Sequence, residues 1–276
     1  MHSDSYFACG SSHNVCQDYA LSGRAPRTGK AYALVSDGCS GSPDTDFGSR
    51  FLCRAASLLV DYVEDLSLVS VARTASNMKK EVALSSMALD ATLLCAVETD
   101  KGIWVAVAGD GMVVARHKGQ SYYDTHLIDF YHGYPAYLSY ALESDRLKPY
   151  LTHTEGGSAS VKVTLGEDDS ATTSTHQFFS ASGEFQAYTC FFPRDKYDLV
   201  LLLSDGVVSF QSNGTNATSK HRISVPPKAV LDELVDFKNM NGEFVVRRVK
   251  RFLQKTCVEN NWTHYDDFSV AALSTG

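Results

Sequence analysis

The sequence predicts an α+β protein built on mainly antiparallel sheets, and three observations carry that prediction. Short apolar or alternating runs recur along the chain in groups, the pattern of a strand-rich protein. Helical spacing comes in adjacent pairs between those groups, so the strict strand–helix alternation of a parallel sheet is absent. At 276 residues, 44% of them hydrophobic and 21% charged, the chain is long enough to bury a large core. No linker-like stretch divides it, so a single domain over 1–276 is expected.

Strands are predicted at 6–9 and 31–36, where "YALVS" is uninterrupted by charge, then at 91–97, 103–108 and 112–116. The first helix is predicted over 46–64, where Phe47, Phe51, Ala55, Leu58, Leu59 and Tyr62 recur at helical spacing, and a second over about 68–89. Between about 118 and 187 the composition turns polar and rich in Ser, Thr, His and Tyr, as in "EDDSATTSTHQ", which reads as an elaborated surface insertion. Its least polar part, "FYHGYPAYLSYALESDRL", is read as a packed segment or a flap over a cleft. Further strands are predicted at 177–181, 186–192 and 199–203. In "SVPPKAVLDELVDF" the prolines suit a first helical turn, and "GEFVVRRVKRFLQKTC" places Val245, Val249, Phe252 and Leu253 on one face with a solvated basic face elsewhere. A last strand is predicted at 268–273.

A formal charge of −7 argues against a nucleic-acid binder or an anionic-membrane binder, both of which need basic surfaces. The start lacks the layout of a secretory signal and no apolar stretch is long enough to span a bilayer, so a cytoplasmic protein is expected. The seven cysteines are scattered and never spaced C-x-x-C, which suggests reduced, core-filling thiols.

Apolar runs ending in an acidic turn recur: "YALVSDG" at Asp37, "IWVAVAGDG" at Asp110, "LVLLLSDG" at Asp205. "HYDD", with Asp266 and Asp267, directly precedes a strand, and "CQD" adds Asp18. One such aspartate is an ordinary turn residue. Several at strand ends are harder to dismiss, because neighbouring strands bring their ends together. Clustered carboxylates repel, and burial raises their proton affinity unless a cation compensates. With no His or Cys in ligand spacing, oxygen donors select a hard ion, Mg²⁺ or Mn²⁺. Gly38 would leave a bound ion room to approach the backbone.

"VCQD", "VSDGCSG", "ATLLCAV", "AVAGDGMVVAR", "LLLSDGV" and "DDFSVAAL", in this order with helical pairs between, resemble the PPM-type, protein phosphatase 2C-like family, with "SHNVCQD" nearest a bacterial-type subgroup. The resemblance implies a four-layer αββα sandwich with a two-metal Mn²⁺/Mg²⁺ centre between its sheets. It implies a protein serine/threonine phosphatase in which a metal-activated water attacks phosphorus, a phosphorylated protein as substrate, and a kinase-linked signalling partner. Asp37 resembles the carboxylate that bridges both ions, Gly38 the residue whose carbonyl meets one, and Asp205 and Asp266 the remaining direct ligands. Asp18 resembles the residue that acts on an ion through water, and Asp110 the one associated with a third ion. Asp267 is read as supporting rather than ligating.

Departures accompany the matches. Where many relatives carry a phosphate-binding arginine stands His13, a candidate for phosphate binding or proton donation against a structural role. Cys39 follows the Asp-Gly pair where some relatives have a histidine, and it lacks the C-x5-R loop of a cysteine phosphatase. "GRAPRTGKA" misses the P-loop spacing and reads as a basic hairpin tip, with Arg24, Arg27 and Lys30 as candidates to lean toward a phosphorylated substrate. Two other readings stay open: a pseudophosphatase serving as a binding module, and a phosphatase of small phosphomonoesters.

Overall fold

The computed structural model of the protein describes residues 1–213 and 222–275. Strands β1 (His2–Ala8), β2 (Tyr19–Arg24) and β3 (Ala31–Ser36) lead into helices α1 (Thr45–Leu59) and α2 (Leu68–Glu81). Strands β4 (Leu93–Glu98), β5 (Gly102–Ala108), β6 (Gly111–His117) and β7 (Tyr123–Phe130) follow, then helix α3 (Ser144–His153). Next come β8 (Ser158–Thr164), β9 (Ala171–Gln177), β10 (Tyr188–Pro193), β11 (Tyr197–Leu203), β12 (Phe210–Asn213) and β13 (Arg222–Ser224). Helices α4 (Pro227–Val235), α5 (Phe244–Arg251) and the one-turn α6 (Cys257–Glu259) precede β14 (Trp262–His264) and β15 (Phe268–Ser274).

Two large antiparallel sheets stack face to face. One has the order β1-β15-β11-β6-β7-β8-β9 and the other β10-β5-β4-β3-β2, and a small sheet β13-β12-β14 flanks them. Alternation assigns each side chain its layer. On β11, Val200 and Leu202 enter the inter-sheet core with Val35, Leu94 and Val107, while Leu199, Leu201 and Leu203 face out to Val230, Leu234, Val245 and Val249 of α4 and α5. On β3 and β4, Leu34, Leu93 and Cys95 likewise face out to Leu52, Ala56, Val71 and Ala72 of α1 and α2. The result is the four-layer αββα sandwich. It explains why these antiparallel strands read as continuous apolar runs: helices cover their outer faces, so both sides are buried.

The structure corrects several boundaries. The first predicted helix ends as α-helix at Leu59 and tightens into a 3₁₀ segment, Val60–Asp65, with Tyr62 out of helical geometry. Of the predicted face, Ala55 is buried and Phe51 and Leu59 pack half-buried on the core beside Leu52, Cys53 and Ala56, whereas Phe47, Leu58 and Tyr62 are exposed. Apart from Leu52, small residues such as Gly48, Ser49, Cys53 and Ala56 take the inner face, because α1 packs closely on the sheet and on α2. Helix α2 starts at the Ser67 cap, whose side chain accepts from the Ser70 amide, and stops at Glu81, short of the predicted Leu89. The chain then turns through a positive φ at Ala83. The strand expected at 177–181 lies earlier, as β9, because Phe178 and Phe179 leave the strand to fill the inter-sheet core. Residues 118–187 contain β7, β8 and β9, which extend the seven-stranded sheet. β9 is almost wholly exposed, and its Thr and Ser therefore hid a strand in a polar composition. The seven cysteines are free, with Cys53, Cys95 and Cys257 buried. Among the described residues no helix is long and apolar enough to cross a membrane.

Candidate active site

Strand register brings the acidic turns to one end of the sandwich. Tyr19 pairs with Ser36, so Asp18 and Asp37 leave β2 and β3 side by side. On the facing sheet, Leu203 pairs with both Met112 and Val270, which sets Asp205, Asp110 and the Asp266–Asp267 turn at adjacent strand ends. The turn after β3 is held to the start of β4 by reciprocal backbone and side-chain bonds. The Asp37 amide donates to Thr92 Oγ1 at 3.0 Å, the Thr92 amide to the Asp37 carbonyl at 2.8 Å, and the Cys39 amide to the Asp90 carbonyl at 2.8 Å.

Gly38 has a packing reason besides the one expected. A Cβ there would lie 2.7 Å from the Thr45 carbonyl oxygen, so the missing side chain lets the loop pack on the first turn of α1. Gly206 is tighter still, since a Cβ would lie 1.8 Å from the Asp267 carbonyl oxygen. We expect Gly206→Ala to cost about 1–3 kcal/mol by forcing the Asp205 turn off the Asp266–Asp267 turn. The check is a lowered urea midpoint at unchanged m-value; an unshifted midpoint would show that the two turns separate freely.

A cavity of about 210 Å³ opens between these turns, lined among others by His13, Asp37, Gly38, Asp110, Asp205 and Asp266. Asp18 is buried beneath it, only 1% exposed. Burial pushes the Asp18 carboxyl up to about 7, with Asp205 adding repulsion, and pushes Asp110 up to about 8, again reinforced by Asp205. Asp37 is raised well above the carboxylate range by burial, then by Asp18 and Asp205, and Asp205 is raised by burial and by Asp266. His13 is the one basic group among the cavity's described lining residues.

Asp267 stands apart. Its oxygens accept from the Gly10 amide at 2.7 Å and the Gln17 amide at 2.6 Å, and these bonds, with His13, outweigh burial and hold its carboxyl below the ordinary range. His13 Nδ1 lies 3.2 Å from Asp267 and 3.7 Å from Asp266. Gln17 reaches across to donate to Thr45 Oγ1 at 2.9 Å.

Among the described residues no three His, Cys, Asp or Glu side chains close into a ready-made ligand shell. The donor chemistry nonetheless fits hard divalent cations. Both oxygens of Asp18 and one of Asp205 are buried without a hydrogen-bond partner among the described residues, and no lysine or arginine is among the cavity's described lining residues. Buried, mutually repelling, unpaired carboxylate oxygens are what a Mg²⁺ or Mn²⁺ ion would satisfy.

One acidic residue escaped the sequence reading. Asp129, near the end of β7, adds repulsion at both Asp110 and Asp205 and lines a small adjoining cavity with them. "THLIDF" is the same signal of an apolar stretch reaching an aspartate, masked by its place in a polar segment. Conversely, Arg24, Arg27 and Lys30 do not approach the site. They lie at the β2–β3 hairpin tip, six β3 residues from Asp37, or about 20 Å along an extended strand. Arg24 donates to the Met1 and Gly29 carbonyls, Arg27 to the Asp61 carbonyl, and Lys30 pairs with Asp100. A larger cavity, about 450 Å³, lies on the outer face of β6–β8 beside α4. Its Asp232 is already paired with Tyr123 and Lys228, so the acidic cavity remains the chemical centre.

Comparison with known proteins agrees with this architecture. Residues 8–129 match the family model described as Protein phosphatase 2C. Among solved structures, the serine/threonine phosphatase Stp1 from Staphylococcus aureus is 12% identical at a TM-score of 0.53, covering 100% of this chain and 96% of that one. A bacterial serine phosphatase is 13% identical at a TM-score of 0.54, covering 100% and 98%. A C. elegans sex-determining protein is 15% identical at 0.51, covering 99% of this chain and 64% of its own. No curated protein matches the chain. The family resemblance read from the motifs is borne out by the match over residues 8–129 and by the shared fold.

Proposed function

We propose that this chain, with its protein phosphatase 2C fold, is a metal-dependent protein phosphatase acting on phosphoserine and phosphothreonine. The observation that carries the proposal is the gathering of Asp37, Asp110, Asp205 and Asp266 on one cavity, with Asp18 buried beneath and its oxygens unpaired. A pure binding module has no use for repelling buried carboxylates, which disfavours the scaffold reading.

In this proposal Asp37, Asp205, Asp266 and the Gly38 carbonyl would hold two Mn²⁺ or Mg²⁺ ions, and Asp110 would contribute to a third. When bound, such ions supply a nucleophilic water near neutral pH and neutralise phosphate charge. Asp18, held below the cavity with both carboxylate oxygens free to accept, would take a hydrogen bond from a water in the cavity. His13 has Nδ1 turned to Asp267, which leaves Nε2 to meet a phosphate oxygen or the leaving group. Tyr137, buried and lining the cavity, helps to exclude bulk water. Cys39 donates its amide to Asp90 and accepts from Thr45 Oγ1 through its carbonyl, a loop-bracing role. A phosphorylated protein and a kinase that supplies it are the partners this reading implies.

Purified protein is expected to hydrolyse p-nitrophenyl phosphate and a phosphothreonine peptide with added Mn²⁺ and to lose both activities in EDTA. Turnover that survives EDTA would remove the metal mechanism, and absence of turnover with any divalent ion would favour the scaffold.

A further inference from the structure

Asp90 is a buried carboxylate, 2% exposed, that the proposed chemistry does not use. It is fully engaged all the same. Its Oδ1 accepts from Ser139 Oγ at 2.7 Å, and its Oδ2 accepts from Arg146 Nη2 at 2.7 Å and from Ser42 Oγ at 3.0 Å. Its backbone carbonyl takes the Cys39 amide.

These partners come from two places. Ser42 and Cys39 belong to the loop that follows Asp37. Ser139 and Arg146 belong to the stretch between β7 and β8, whose Gly133, Pro135 and Tyr137 line the acidic cavity. Arg146 is itself held: its guanidinium lies 4.9 Å from the Tyr140 ring centre, and Tyr140 stacks on Tyr150 at 4.4 Å. The stretch from Gly133 to Arg146 has no strand of its own; it is held by Ala136 and Leu138, both buried in the core, and by these side-chain anchors.

We propose that Asp90 is the positioning residue of the cleft mouth. Its one carboxylate ties the loop behind Asp37 to the segment roofing the cavity, and so sets the gap that the peptide around a phosphorylated side chain must enter. A small aryl phosphate, held chiefly through its phosphate, does not depend on that gap. A phosphopeptide does, because its flanking residues would have to pass the rim that Tyr137 and the Cys39–Ser40 turn form. The inference rests on the phosphatase reading for its substrate and on the hydrogen-bond geometry for the tie itself.

The test compares Asp90→Asn, which keeps the size but removes the charge, with Arg146→Met, which keeps all but the guanidinium. Both are expected to lower kcat/KM on a phosphothreonine peptide about tenfold or more, mainly through KM, while p-nitrophenyl phosphate turnover changes less than about twofold. The double variant should be no worse than the poorer single one, as residues acting through one bond require. Hydrogen exchange in residues 133–147 should speed up in each variant while β3, β4 and β11 stay protected. Equal loss on both substrates, additive losses, or unchanged exchange would overturn the role. If the wild type turns over neither substrate, the phosphatase reading fails by itself, and the exchange measurement still decides whether Asp90 holds the segment. Should Asp90→Asn not fold, Arg146→Met carries the same comparisons.

Discussion

Asp37→Asn should abolish turnover and leave a protein that, without metal, melts higher than the wild type. The expected loss of Mn²⁺-dependent hydrolysis is about a thousandfold or more, ~4 kcal/mol at tenfold per about 1.4 kcal/mol. The stability gain has a separate cause. In the metal-free fold the buried Asp37 carboxyl must either take up a proton or stay charged beside Asp18 and Asp205. Asparagine avoids both costs at nearly the same volume. A gain of ~1 kcal/mol would appear as roughly 2–4 °C in Tm for a chain somewhat shorter than this one. Circular dichroism melts in EDTA measure it directly. A variant that keeps its activity would take Asp37 out of the site, and one that melts lower would show that the carboxylates were not repelling.

The second large effect is a reversal of the pH dependence of stability by metal. Asp18, Asp37, Asp110 and Asp205 have folded-state pKa values raised above their unfolded ones. Between the unfolded and folded values the native state binds more protons, so the stability of the metal-free protein falls as pH rises through that window. With Asp18 at about 7 and Asp110 at about 8, the fall runs from near pH 4 to beyond pH 8 and amounts to several kcal/mol. Asp267 and Asp124 work oppositely at the acid end, because their carboxyls are held low by hydrogen bonds. Their contribution is present above the ordinary carboxylate range and is lost below it. The metal-free protein should therefore melt highest near pH 4. Saturating Mn²⁺ or Mg²⁺ selects the deprotonated carboxylates, so its stabilisation grows with pH. Tm in EDTA should decline from pH 5 to pH 8.5, while the increment produced by the ion rises over the same range. Parallel curves with and without the ion would mean that these carboxylates do not bind it.

The layers of the fold were legible where burial leaves its mark on composition. β3, β4, β5, β11 and β15 read as strands because both of their faces are covered, and α4 and α5 because one face is. β7, β8 and β9 did not, since they carry the seven-stranded sheet beyond the helix layer and one or both faces meet solvent. Asp129 was lost with them. The face of α1 was misjudged in part: Ala55 and Phe51 do turn to the core, but Phe47, Leu58 and Tyr62 stay exposed while Gly48, Ser49 and Cys53 take the close contact.

By itself the sequence determined which residues are costly to bury, and an aspartate ending an apolar run is such a residue wherever the chain goes. Spacing along the chain could not say which of those aspartates meet. That depends on strand register across two sheets, which sets Asp18 beside Asp37 and lifts Asp110 and Asp205 to the same rim, while two backbone amides take Asp267 out of the group. The anchoring of the roof by Asp90 likewise exists only in three dimensions, because its side-chain partners lie 48, 49 and 56 residues away and a carboxylate in "ALDAT" carries no sign of them.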